Sequence, residues 1–367
     1  MAAGPQASGA PPAQKVQDVI TTFRPHRRFR TEPKCNITSI DFDDTGELVI
    51  VARDDDTLQL YNLSQGKHAK ELKCQKYGVH LAKFSHHSQS IVHASSRIDS
   101  KKSDVDNHAI RYLTTHDNSY LRYFRGHTDT VTCIALSPSS DEFLSCSKDN
   151  SVRLWNLKSS NCQGMLKLHG AYLAAYDPSA TVIAIASPAT SSVLLYDKNN
   201  YDKAPFATFD LQPFERVYTE KSIGRGWTKI EFSNDGKSLL VATNGLGHFV
   251  LDAFEGNLTH FCIRRGKMSG RRAPGESGDD SRPVGQGDVC LSPDGKFVLG
   301  GSGEEGLQIW DISSTISVTD KMLMPLDKIP GPGQGRASVV AYNHRFNLIC
   351  TADKDLTVWL PDPDAAD

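Results

Sequence analysis

The chain has 367 residues, 41 basic and 43 acidic side chains and a formal net charge of −2, so it is long enough to bury a large core but has no global basic field. This balance excludes the bulk attraction by which strongly basic chains hold nucleic acid or membrane surfaces. No stretch approaches the roughly 18 to 20 apolar residues of a spanning helix, and the eight cysteines never fall at C-x-x-C spacing, which removes the usual zinc and redox signatures.

The opening segment "MAAGPQASGAPPAQ" lacks an apolar h-region and reads as the start of a soluble, unsecreted chain. Asn36, Asn62 and Asn257 head glycosylation triplets that have no consequence outside the secretory route. Buried, reduced thiols in a cytosolic or nuclear compartment account for the cysteines. Residues 1–25 are expected as a mostly disordered arm, 26–362 as the folded unit and 363–367 as a tail.

Seven segments then repeat one grammar: an alternating apolar strand, a Ser/Asp/Asn/Gly turn, a small-residue strand, a second tight turn and a strand ending in an aromatic or leucine. They run over 37–63, 79–117, 131–157, 172–197, 228–254, 287–312 and 338–362. Their closing residues are Tyr61, Tyr112, Trp155, Tyr196, Leu251, Trp310 and Trp359, at spacings of 41 to 59 residues. Period-two alternation at this spacing predicts four-stranded blades, and no segment has a convincing amphipathic helical period. One blade has too little apolar area to stand alone, so the blades must stack, and a ring leaves only short sheet edges. The predicted fold is therefore all-β, a seven-bladed β-propeller. The seventh repeat has only three strands, and "HRRFRT" (26–31) precedes the first repeat without a blade of its own; this N-terminal strand is predicted to complete the last blade and close the ring.

The repeats resemble the WD-repeat family, and the third does so most fully, with Gly126-His127, Asp149 and Trp155-Asn156. The resemblance implies a hydrogen-bonded chain across that blade formed by His127, Ser145 or Ser147, Asp149 and Trp155, with a structural role. The other repeats lack Gly-His ahead of their first strand, and three close on Tyr.

Residues 301–306 read "GSGEEG", which spells the dinucleotide fingerprint G-x-G-x-x-G. That fingerprint works only where a strand runs into a helix whose N-terminus holds the phosphates. The following "LQIWDI" alternates as a strand, so the glycines are expected in a turn between two blade strands. No Walker loop, H-E-x-x-H or G-x-S-x-G occurs, and His86-His87 reads as an exposed turn. No catalytic residue, metal or cofactor is expected.

Four insertions lengthen the spacing: 98–107, 198–225, 264–285 and 320–335. The third holds Arg264, Arg265, Lys267, Arg271 and Arg272 followed by Glu276, Asp279 and Asp280, and is expected as a solvated, mobile loop. The fourth carries "MLMPL", expected to pack back on the ring. Partners of propellers meet the loops of one rim. Alignment of the repeats puts Arg53, Lys148, Asn244, Glu304, Lys354, Tyr77, Tyr172 and Trp227 there, with Arg53, Lys148 and Lys354 as candidate phosphate receptors and the three aromatics as peptide anchors.

Several runs in blade edges and loops, "QKYGVHLAKFSH", "IRYLTTHDNSYLRYFRGH", "SSNCQG", "DKAPFATFD", "LLVATNG", "VLDAFEG" and "TVWLPD", resemble the family of small propeller subunits shared by the COMPASS histone methyltransferase and the cleavage and polyadenylation factor. This resemblance spans about residues 16–362. It implies a nuclear, non-catalytic scaffold that supports a SET-domain enzyme methylating lysine-4 of histone H3, together with other COMPASS subunits. It also implies a second place in mRNA 3′-end processing and transcription termination, beside a phosphatase-containing module, and an association with the serine-phosphorylated tail of RNA polymerase II. A membrane partner or direct nucleic-acid binding is not expected. The alternative in a different class is a substrate receptor of a ubiquitin ligase.

Overall fold

Each repeat supplies strands whose two faces are both covered, because every blade is sandwiched between two others. The strand Ser90–Ala94 is buried at all five positions, and Leu48–Arg53 at five of six. The outer strands keep the half-exposed alternation of a sheet edge, as in Ser159–Lys167. The computed structural model describes residues 14–219, 226–267, 270–274, 276, 286–303, 306–314, 320–329, 331 and 336–365.

Among these residues the strands form seven sheets, one per blade, each built on four antiparallel strands. Blades 1 to 4 occupy 37–73, 80–124, 131–167 and 173–210. Blade 5 occupies 227–263, and blades 6 and 7 begin at 289 and 339. The innermost strands neighbour one another in cyclic order, and that of blade 7 (Val339–Tyr342) lies against that of blade 1 (Ile37–Phe42). The ring is a seven-bladed β-propeller.

Closure uses the N-terminal strand Phe23–Phe29, which pairs antiparallel with Leu356–Pro361 as the outermost strand of blade 7. Pro25 is tolerated there because an edge strand needs donors on one side only, and the register slips between Pro25 and Arg27. Arg28 clamps the strand with Nε and Nη2 on Asp355 Oδ2 (2.9 and 2.6 Å). The ordered chain starts ahead of the expected boundary at residue 26. A short helix, Val16–Val19, and Ile20 precede the strand, and Val19, Ile20 and Phe23 are buried against blades 6 and 7. Residues 1–13 lie outside the described residues.

The core is divided. Seven buried clusters each span two neighbouring blades. The one between blades 7 and 1 joins Phe29, Val49, Tyr61 and Cys350, so without closure two of these apolar faces would meet water. Cys74 and Cys290 sit in such clusters, where burial pushes both thiols up to about 12.

Three insertions carry structure that strand periodicity could not announce. The blade 2 insertion contains a helical turn, Asp104–Asn107, capped by the Ser103 hydroxyl. The connection from blade 4 to blade 5 contains the helix Gln212–Tyr218, which at two turns is too short to display a 3.6-residue period. After blade 6's third strand, Met322–Leu323 pairs parallel with Phe261 and Cys262 as a fifth strand of blade 5, and Asp327–Ile329 then returns as blade 6's fourth. The "GSGEEG" glycines join two antiparallel strands, with Gly301 opposite Leu307. A side chain on Gly301 would lie 2.1 Å from the Ala337 carbonyl oxygen, and one on Gly306 would lie 2.4 Å from that of Ile329. These glycines admit a neighbouring backbone rather than a pyrophosphate.

Candidate interaction site

In blade 3 the structure joins four of the singled-out residues. Trp155 Nε1 can only donate and does so to Ser145 Oγ (2.8 Å), whose hydroxyl donates to His127 Nε2 (2.7 Å); His127 Nδ1 then donates to Asp149 Oδ2 (2.9 Å). Burial lowers the His127 pKa, against the pull of Asp149. Burial alone would raise Asp149, but the bonds from His127 and Ser151 hold it far below the usual carboxylate range. Ser147 is outside the chain: its hydroxyl donates to Asp129 O (2.8 Å) and accepts from Asp149 N (3.1 Å). Blade 7 has a shorter version in which Trp359 Nε1 donates to Thr351 Oγ1 (2.8 Å).

The upper rim is the one bearing the turns 54–56, 148–150 and 353–355 and the connections between blades. Two of its expected surface residues lie in the interior. Arg53 is 1% exposed; it ends a strand beneath the connection into blade 1, where Nη2 donates to Pro33 O (2.5 Å) and pairs with Asp55 (3.2 Å). Trp227 is equally buried, because the helix Gln212–Tyr218 lies beside it and Glu215 Oε1 accepts its indole N–H (2.8 Å). These two are corrected to structural residues.

Lys354 is exposed, and Lys148 and Tyr172 are half-buried. Tyr77 is half-buried and already served by cations of its own chain. Arg111 Cζ stands 3.6 Å from its ring centroid and Lys102 Nζ 4.7 Å, with the Tyr120 and Tyr123 rings at 5.7 and 6.2 Å. Glu304 lies outside the described residues. The two ring nitrogens of His86 are engaged on the opposite rim, with Asp44 Oδ2 and Ser137 O (both 2.9 Å).

The basic segment after blade 5 departs most from expectation. Arg264 is buried and bonded to Asp288 through Nη1–Oδ2 and Nη2–Oδ1, and it donates to Gly301 O (2.6 Å) and Thr243 O (3.1 Å). Arg271 is 3% exposed and reaches blade 7 at Asp353 Oδ1 (3.0 Å). Asn244 Nδ2 donates to Arg271 O and Glu276 Oε1, while Gln286 N donates to Thr38 O of blade 1 (3.2 Å). The described parts of this segment therefore cross the upper mouth of the ring. Charge in the composition said solvent, but partners in blades 5, 6 and 7 made burial of two arginines feasible.

Below this cover runs the central channel, about 650 Å³, lined by the innermost strands with Pro274 and Gln286 at its mouth. Among its charged groups Lys83 pairs with Asp41 (2.8 Å) and Lys229 with Glu231 (2.7 Å), while Arg345 Nε donates to Asp44 O (3.0 Å). A second cavity of about 300 Å³ opens on the upper rim, between blades 1, 2 and 3 and the crossing segment. Thr38, His80, Arg97, Ile98, Lys148 and Arg272 are among its walls. Of these, the sequence reading had marked only Lys148 as a rim contact, because five chain segments meet there. An isoleucine at 98 amid "RIDSKK" was the local signal, and it is 72% exposed.

The description "WD domain, G-beta repeat" matches residues 18–62 and 118–156. A Drosophila melanogaster protein named WD repeat-containing protein 82 is 35% identical over 94% of this chain and 96% of its own. The chain belongs to the WD-repeat propeller family. This WD-repeat chain is also 33% identical to the Schizosaccharomyces pombe Set1 complex component swd2, over 93% of this chain and 98% of that one. The Saccharomyces cerevisiae COMPASS component SWD2 is 33% identical over 94% and 97%. These alignments run almost end to end and thus include the rim segments that the shared fold does not dictate.

Proposed function

We propose that this WD-repeat protein is a non-catalytic scaffold subunit of a nuclear Set1/COMPASS-type assembly, where it supports methylation of histone H3 lysine-4 through protein–protein contacts. The observation that carries this reading is the nearly end-to-end likeness to proteins named as Set1 complex and COMPASS components. A rigid ring suits the task, since loops on one rim are held in fixed relation by seven interlocked inter-blade cores. We extend the proposal to a second assembly, the cleavage and polyadenylation factor with its phosphatase module, and to the phosphorylated tail of RNA polymerase II. The support for that extension is the resemblance of the rim and edge runs "QKYGVHLAKFSH" and "IRYLTTHDNSYLRYFRGH".

The test is gentle purification of the tagged chain from nuclear extract with identification of co-purifying proteins. The expected result is a SET-domain methyltransferase together with 3′-end processing factors. Recovery of the methyltransferase alone removes the second assembly, and recovery of a cullin adaptor in place of both overturns the scaffold reading.

A further inference from the structure

The 300 Å³ cavity on the upper rim has the chemistry of a ligand site and is independent of which assembly holds the chain. It lies at the lower end of the size range of small-ligand pockets, roughly 300–1,000 Å³. Among the described residues its lining has no Asp or Glu, but it includes Arg97, Lys148 and Arg272. Arg97 is ion-paired with Asp56 (2.5 Å) and donates to Gln75 O (2.7 Å). Lys148, by contrast, has no side-chain partner among the described residues, although it is only half exposed. A second unmet group belongs to a residue of the wall: His80 lines the cavity, and its Nε2 is buried with no hydrogen-bond partner among the described residues. Such groups are rare in native structures and call for an explanation.

The wall is also built at a conformational cost. His80 and Leu81 are consecutive in a strand yet both line the cavity, which regular alternation forbids. The strand is irregular between His80 and Lys83, and Leu81 adopts a left-handed φ of 53°. A non-glycine residue held there stores strain, and such residues cluster at ligand clamps. The remaining walls are apolar or neutral, with Leu81, Val131 and Pro274 inside and Ile98 standing exposed at the lip.

We propose that this cavity is a docking pocket for an acidic side chain, Asp or Glu, of an extended partner segment. Lys148 supplies the counter-charge, His80 Nε2 a hydrogen bond, and Ile98 an apolar contact with the flanking residue. A carboxylate fits better than a phosphoryl group. Arg97 is already committed to Asp56 and Lys148 is a single point charge, whereas a dianion is held by several cations, usually with bidentate arginines.

The test is an array of extended peptides with a central Glu and varied flanks, probed with the full chain and repeated with Gln or phosphoserine at the centre. The expected result is retention by a subset of Glu peptides and at least about a tenfold loss for their Gln counterparts, in the range of one charge-assisted contact. Lys148→Gln and Ile98→Asp each weaken the same peptides, with the melting temperature unchanged because neither side chain has a polar partner among the described residues. Equal retention of Glu and Gln peptides, equal binding by wild type and Lys148→Gln, preference for phosphoserine, or no retained acidic peptide at all would each overturn the assignment.

Discussion

Replacing Ser145 by Ala tests whether the blade 3 chain contributes to stability and which serine belongs to it. The hydroxyl accepts from Trp155 Nε1 and donates to His127 Nε2, and the Trp155 and His127 side chains are 0% and 1% exposed. Ala removes one group and leaves two buried polar atoms unpaired, each worth about 1–3 kcal/mol. The expected destabilisation is therefore about 2–6 kcal/mol. Ser147→Ala removes a hydroxyl that serves the Asp129 carbonyl and the Asp149 amide. It leaves the four-residue chain whole, and the expected loss is about 1–2 kcal/mol. Urea unfolding followed by tryptophan fluorescence reports both, with the midpoint compared at constant slope. A Ser145→Ala midpoint within about 0.5 kcal/mol of wild type, or a larger loss for Ser147→Ala, would refute the reasoning.

Truncation through Phe29 strips the outermost strand of blade 7 and the buried Phe23 and Phe29. The apolar loss alone is about 3–6 kcal/mol, and the ring should become protease-sensitive and melt lower as a whole; an unchanged melting temperature would show that closure does not need this strand. Arg264→Met leaves Asp288, itself 2% exposed, as a buried carboxylate without its counter-charge. This should cost about 3–5 kcal/mol, partly recovered by adding Asp288→Leu, with calorimetric melting as the measurement. Acid should also destabilise the fold. Burial lowers His93 from 6.5 to about 3 and lowers His127 and His248 as well. These folded-state values lie below the unfolded ones, so only the unfolded chain takes up the proton as pH falls from about 6.5. Stability is lost in that window, by about 2 kcal/mol at pH 5 for His93 alone. His86, raised by Asp44 on the surface, acts in the opposite sense. The urea midpoint should fall between pH 7 and pH 5, less steeply in His93→Gln, and a flat profile would contradict the buried neutral histidines.

The repeat grammar was readable because it is local. Alternation, turn residues and a closing aromatic recur within about 40 residues and reflect forces acting inside one sheet, and the His127–Trp155 chain is likewise confined to one blade. The unpaired "HRRFRT" segment even disclosed the closing strand, because a three-stranded last blade leaves backbone groups unmet. Exposure on the rim was not local. Arg53 is the last residue of its strand, opposite Ile37, and its counterpart in blade 3 is Ser147, opposite Val131. Lys148 lies one residue further, in the turn, so that Arg53 lies under the connection into blade 1 while Lys148 lines an open cavity. Trp227 is covered by a two-turn helix with no periodic trace, and Arg264 and Arg271 are buried by acids 24 and 82 residues away. The sequence alone determined the ring, since each repeat carries its own strand pattern and needs neighbours on both sides. Only the tertiary structure decided which side chains face outward on the upper rim, because that depends on the path of the long connections over it, and their partners are set by closure of the ring and not by nearness along the chain.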